Sequence, residues 1–168
     1  ILSIYFYSTK IVDSGLGEFF VAVKGSMIVI GTFYIQSGEV NIESILAGIV
    51  IGTLSSLVLF IASFPDHDAD KSKGRKTLVI TVGKEKARKL FWIFPLFAYG
   101  VIVIGVVLNH LPVFTLISLM SFPLIIKSGI GLQKNYDSVE NLVPYMSSTL
   151  KFSRLTGILF VISFLIPL

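Results

Sequence analysis

Five runs of this chain leave few folds open. Residues 19–36, 45–64, 90–108, 113–132 and 152–168 carry at most one charged side chain each. A helix crosses a bilayer with roughly 20 mostly apolar residues, within a range of about 17–25. In hydrocarbon every backbone N–H and C=O must be satisfied inside the structure, which favours helices. The expected fold is therefore all-α, a polytopic transmembrane bundle of about five full spans. Residues 1–8 read as the tail of one more. Gly48, Gly52, Ser55 and Ser56 in the second run let helices approach closely. Pro95 and Pro123 fall inside the third and fourth runs, where neighbouring helices can satisfy the freed backbone groups. The chain opens in mid-hydrophobic sequence without a starting Met, so residues 1–168 are read as one membrane-embedded domain, the C-terminal portion of a longer protein.

Composition agrees. Charged residues make up 14% of the chain and the mean hydropathy is +0.85, against about 25% charged residues in soluble domains. The absence of cysteine excludes disulfides, thiolate metal sites and cysteine nucleophiles. The net charge of +4 is modest, and nothing points to nucleic acid.

The polar segments alternate in charge. Segment 9–18 carries Lys10, and 37–44 carries Glu39 and Glu43 without a cation. Segment 65–89 holds eight Lys or Arg, 109–112 holds none, and 133–151 holds Lys134 and Lys151. By the positive-inside bias, 9–18, 65–89 and 133–151 are expected in the cytoplasm of a multi-pass cell-membrane protein.

Segment 65–89 also carries chemistry. Asp66, Asp68 and Asp70 are followed by Lys71, Lys73, Arg75 and Lys76. Carboxylates at the end of a membrane span cost free energy unless solvated, paired or holding a metal. Asp66 and Asp70 are four residues apart, which on a helical turn places them on one face. Magnesium takes one or two carboxylates together with water and substrate phosphate oxygens. The cations then meet phosphate, Arg as a planar fork and Lys as a point charge. Two other motifs fail on spacing. An EF-hand starting at Asp66 needs Gly at its sixth position and Glu at its twelfth, where this chain has Lys71 and Thr77. A P-loop ending near Gly74 finds Ala69 where Gly is required, and Arg75 before Lys76. The remaining alternative is a solvated, self-neutralising loop that only sets topology.

The order Phe64, Pro65, Asp66, Asp70, Lys71, Gly74, Lys76, Thr77, Leu78, Val79, continuing to Val82, Gly83 and Ala87, resembles the second aspartate motif of the UbiA superfamily of intramembrane prenyltransferases. Tyr7-Ser8, Gly15-Leu16-Gly17-Glu18 and the stretch from Gly31 to Gly38 are similar to the family's fourth and fifth helices. The resemblance covers nearly the whole chain and is closest to members that prenylate quinone precursors such as 1,4-dihydroxy-2-naphthoate, an intermediate on the way to menaquinone. It implies nine transmembrane helices and two aspartate motifs, so a chain carrying only the second holds half a site and is inactive alone. Its partners would be a polyprenyl diphosphate, an aromatic acceptor, membrane lipid and the N-terminal half of the same protein.

On this resemblance Asp66 and Asp70 hold Mg²⁺, and Lys71, Arg75 and Lys76 stabilise the departing diphosphate. Arg75 and Lys76 read equally as topology-setting cations. Asp68 is a base on the acceptor side or a residue beyond the metal ligands, with a solvated residue the equal alternative. Tyr7 and Lys10 match positions whose polar groups reach the diphosphate; an interfacial aromatic is the other reading of Tyr7. The family usually has Asn where this chain has Ala62. His67 is expected in an exposed loop, and His110 is expected without a partner. Tyr136, Asp137, Glu140 and Asn141 belong to a loop that either caps the site or is simply solvated. A cation-binding transporter and a non-catalytic scaffold are the competing functions. A transporter more often places its ionisable groups near the midplane, not at a span end.

Overall fold

The computed structural model describes residues 15–166. Among them the fold is all-helical. Helix α1 is Gly17–Ser37 and α2 is Ile42–Ala62. Three short helices follow, α3 (His67–Ser72), α4 (Leu78–Val82) and α5 (Lys84–Leu90). Then come α6 (Ile93–Val107), a 3₁₀ segment Val113–Ser121 running into α7 (Phe122–Asn135), and α8 (Val139–Ser163). Four helical rods are long and apolar enough to cross a membrane: Gly17–Ser37, Ile42–Ala62, Lys84–Val107 and Val113–Asn135. At 1.5 Å rise per residue, a 21-residue helix is about 30 Å long, matching the hydrocarbon core.

Helix α2 is the hub. It packs on α1, α6 and α8, and Val50, Leu57 and Phe60 are wholly buried. Its start is fixed by a reciprocal cap: Asn41 accepts from the Ser44 N–H at 2.9 Å, and Ser44 Oγ accepts from the Asn41 N–H at 3.3 Å. Gly52 explains how closely α1 can lie. A Cβ there would run into the backbone carbonyl of Ala22, so the helices touch backbone to backbone, as small residues allow in membranes. A buried hydroxyl chain ties the other elements together. Tyr99 Oη lies 2.8 Å from Ser121 Oγ, which lies 2.6 Å from Thr156 Oγ1, which donates to the Phe152 carbonyl. This satisfies the polar groups of α6, the 3₁₀ segment and α8 at once.

Three sequence expectations shift. The last helix begins at Val139, so the polar connection expected over 133–151 shrinks to residues 136–138. Glu140 and Asn141 fall in the first turn of α8, and Lys151 and Arg154 lie within it. The reason is periodicity rather than bulk hydropathy. Leu142, Thr149, Phe152, Thr156, Phe160 and Ser163 are buried at helical spacing, while Lys151 and Arg154 are on the exposed face. The two prolines occupy the first turns of α6 and α7, after the turn at Phe91-Trp92 and at the junction of the 3₁₀ segment with α7. There their missing N–H removes no intrahelical bond. His110 does have a neighbour: its Nδ1 is 3.8 Å from Glu43 Oε1.

That contact sets 37–44 and 109–112 at one end of the bundle. At the other end, Arg88 Nη1 donates to the Gln133 carbonyl at 2.7 Å and Gln133 Nε2 donates to the Arg88 carbonyl at 2.6 Å. The Arg88 guanidinium lies 4.5 Å from the centre of the Tyr136 ring. Segment 65–89, with its eight cations, and the connection after α7 therefore share an end of the bundle, as the charge alternation predicts.

Candidate active site

The acidic segment is aimed by the end of α2. Phe64 is buried and meets Phe60 edge to face at 5.6 Å between ring centres, which anchors the chain as it leaves the helix. Asp66 then takes the N-cap position of α3 without a side-chain capping bond, and its carbonyl accepts from the Asp70 N–H at 2.8 Å. One helical turn thus separates the two carboxylates, as their spacing predicts. The chain turns back through Gly74 at φ 75°, and the Arg75 N–H bonds the Asp70 carbonyl at 3.0 Å. Thr77 Oγ1 accepts from the Ile80 N–H and starts α4.

Gly15 fits the start of α1 beneath this segment. Its φ is 77°, and a Cβ there would approach Thr81 Oγ1 at 2.9 Å, so both conformation and space call for glycine. Ser56 Oγ donates to the Glu18 carbonyl at 2.7 Å and ties the first turn of α1 to α2.

Between these pieces lies a cavity of about 310 Å³. Asp66, Asp70, Arg75 and Lys76 line it together with Glu18, and Leu59, Ala62 and Ser63 of the α2 terminus form its apolar side. Arg75 Nη1 donates to Asp70 Oδ1 at 2.9 Å; the Asp70 side chain is 14% exposed and that of Arg75 51%. Asp66 makes no side-chain hydrogen bond or ion pair within the described residues, which leaves its oxygens for a ligand. Ala62 lines the cavity where the family resemblance calls for Asn. Its neighbour Ser63 does not substitute as a donor, because its hydroxyl donates back to the Leu59 carbonyl at 3.0 Å.

Other candidates stand apart. Asp68 is fully exposed and does not line the cavity. His67 Nδ1, only partly exposed rather than looped out, donates to Asp68 Oδ1 at 2.7 Å, and this bond holds the Asp68 carboxyl below its ordinary range. Lys71 and Lys73 are exposed and off the lining. Tyr136, Asp137, Glu140 and Asn141 do not line it either. The Asp137 carboxylate beside Tyr136 pushes the phenol above its usual range. Tyr7 and Lys10 lie outside the described residues.

The donor set fits magnesium in part. Among the described residues no three His, Cys, Asp or Glu side chains come close enough to hold a metal by themselves. Two carboxylates at the mouth of a cavity beside two cations suit an ion that completes its shell with phosphate oxygens and water.

A second, open apolar groove of about 280 Å³ adjoins the first, with Phe19, Ile93 and Phe97 more than half exposed along it. Phe19, Phe94, Phe97, Ile93 and Leu78 line it, and Glu18 lines both. Sequence reading gave Glu18 no role. An acid in the first turn of a helix is common, and only the packing reveals that this one is buried, at 4% exposure.

Membrane-length helices that close one end with carboxylates facing cations define an integral membrane protein with an ionic site at the end of its bundle. The chain belongs to the UbiA prenyltransferase family, whose model matches residues 1–164. It is 30% identical over 155 residues to the 1,4-dihydroxy-2-naphthoate octaprenyltransferase of Bacillus subtilis, covering 89% of this chain and 48% of that protein. It is 29% identical over 152 residues to the Escherichia coli protein of the same description, covering 88% and 48%. The 2-carboxy-1,4-naphthoquinone phytyltransferase of Synechocystis is 23% identical over 110 residues, covering 65% of this chain and 36% of that protein. The chain spans about half the length of the curated relatives it matches. No solved structure matches it.

Proposed function

We propose that this chain forms one wall of a magnesium-dependent prenyltransferase site. In the full-length protein an isoprenyl group passes from a polyprenyl diphosphate to an aromatic, quinone-precursor acceptor of the dihydroxynaphthoate type. The observation that carries this reading is the cavity in which Asp66 and Asp70 stand beside Arg75 and Lys76 at the end of an apolar bundle. Family membership and the names of the relatives support it.

In the reaction the allylic C–O bond breaks and its electron pair leaves with the diphosphate. A ring carbon of the acceptor forms the new C–C bond, and the ring then loses a proton. Magnesium, when bound, supplies Lewis-acid neutralisation of the leaving charge. Asp66 and Asp70 are the residues that would hold it. Arg75 and Lys76 bind phosphate oxygens and stabilise negative charge as it develops. The apolar walls beyond Leu59 and Ala62 take the isoprenyl tail and keep water from the allylic carbon. A complete clamp needs carboxylates from a facing wall, which the family's other aspartate motif would supply from the N-terminal half.

The test is product formation from geranylgeranyl diphosphate, Mg²⁺ and 1,4-dihydroxy-2-naphthoate by the purified full-length protein. Prenylated naphthoate, lost on chelation, is the expected result; no product from the intact protein overturns the reading. The 168-residue chain alone should bind the diphosphate weakly and turn nothing over. A rate comparable to that of the full-length protein would show that one aspartate motif suffices.

We place the 65–89 segment in the cytoplasm, on the strength of its eight cations. Cysteines introduced at positions 73 and 41 should react with impermeant reagents from opposite faces of oriented vesicles. Reaction of both from one face would overturn the topology.

A further inference from the structure

Glu18 stands at the seam between the ionic cavity and the apolar groove. It is 4% exposed, and neither carboxyl oxygen has a hydrogen-bond partner among the described residues. The backbone amides of Glu18 itself and of Leu78, in the first turn of α4, come near, yet neither closes a hydrogen bond of acceptable geometry. Arg75, on the same cavity wall, is engaged by Asp70 instead. A buried carboxyl without a donor is costly; both oxygens are closed off here, so a ligand that brings a donor reaches them once the side chain turns toward the adjoining apolar groove.

The surroundings narrow the ligand. A metal shared with Asp66 and Asp70 is disfavoured, since these three carboxylates do not gather within reach of one ion. A diphosphate brings only negative charge. A neutral O–H carried on an apolar body fits this position. The adjoining open groove offers Phe19, Phe94 and Phe97 to such a body, and aromatic side chains favour stacked or edge-on contact with a flat ring.

We infer that Glu18 is an acceptor-binding residue: its carboxyl oxygen receives a hydrogen bond from a ring hydroxyl of the aromatic acceptor, seated in the Phe19, Phe94 and Phe97 groove. The inference rests on the prenyltransferase reading and adds to it the subsite for the second substrate. The hydrogen bond fixes which ring carbon faces the ionic cavity. It also withdraws positive charge from the hydroxyl as the ring is alkylated, which raises the ring's nucleophilicity.

The experiment compares the full-length protein with its Glu18→Gln and Glu18→Leu variants. Each is assayed with geranylgeranyl diphosphate and either 1,4-dihydroxy-2-naphthoate or its monomethyl ethers, and acceptor binding is also measured directly without donor. A hydrogen bond to a charged group sets the expected scale at about 10- to 100-fold. The KM and Kd for the dihydroxy acceptor should rise by that factor in Glu18→Leu and less in Glu18→Gln, with the donor KM within about twofold. The preference for the free hydroxyl over its methyl ether should collapse in Glu18→Leu. Unchanged acceptor affinity, or retained hydroxyl preference, overturns the inference. So does a parallel rise in donor and acceptor KM, which would mean that Glu18 props up the acidic segment. If Glu18→Leu does not fold, the near-isosteric Glu18→Gln decides by the same criteria. Should the parent protein form no product, the functional reading fails, and the direct acceptor Kd still decides for Glu18.

Discussion

Replacing Asp66 or Asp70 by alanine in the full-length protein should lower kcat/KM on the order of 10³-fold, about 4 kcal/mol of transition-state stabilisation. The expectation follows from how little else the cavity offers a divalent ion. Its acidic lining consists of these two carboxylates and Glu18, and the described residues contain no cluster of three ligating side chains. With one carboxylate gone, the remaining one holds the ion too weakly to share it with a substrate phosphate. Raised Mg²⁺ should recover part of the loss for Asp66→Asn, since an amide oxygen still coordinates, and little of it for Asp66→Ala. Asp68→Ala should cost less than about tenfold. Its carboxylate is fully exposed and bonded to His67 rather than turned to the cavity, and remote charges act through solvent. Steady-state rates across a magnesium titration check all three. Near-normal rates for both alanine variants at saturating Mg²⁺ would reduce the segment to a topology signal.

The ionic half of this site was legible in the sequence because it is local. Asp66, Asp70, Arg75 and Lys76 lie within eleven consecutive positions, and a single turn of α3 with one reversal at Gly74 brings them to one cavity. The same local logic could not separate Lys71 from Lys76. Whether a cation faces the cavity or the solvent depends on where the chain reverses, and Gly74 puts that reversal after Lys71. Glu18 was illegible for the opposite reason. Its burial is made by residues more than 30 positions away, Ser56 from α2 and Leu78 from α4. Membrane character and helical class followed from the apolar runs. The start of α8 did not, because its N-terminal half is held by one buried stripe, and averaged hydropathy hides a stripe behind the charges on the other face.

Exchanging the charges of Asp70 and Arg75 separates a structural pair from a working one. The Asp70→Arg, Arg75→Glu double variant retains opposite charges at the two positions, which face each other at 2.9 Å. As a staple this contact is weak, since a partly exposed ion pair contributes roughly 0–1 kcal/mol. The segment is also held by the backbone bonds from Asp70 to Asp66 and from Arg75 to Asp70. The double variant should therefore fold with a Tm close to that of the parent. Its turnover should remain on the order of 10³-fold down, like that of Asp70→Ala. The carboxylate now sits at position 75, across the reversal at Gly74, and no longer one helical turn from Asp66. Arg75→Ala alone should act differently. It frees Asp70 Oδ1, leaves the metal ligands in place, and raises the donor KM about tenfold through loss of one phosphate contact. Thermal unfolding in detergent together with separate donor and acceptor KM values distinguishes these cases. Recovery of the double variant to within tenfold of the parent would mean that the pair only shapes the segment, and that the divalent ion is held by other residues. Failure to recover, with folding intact, places the function of Asp70 in its carboxylate position rather than in its bond to Arg75.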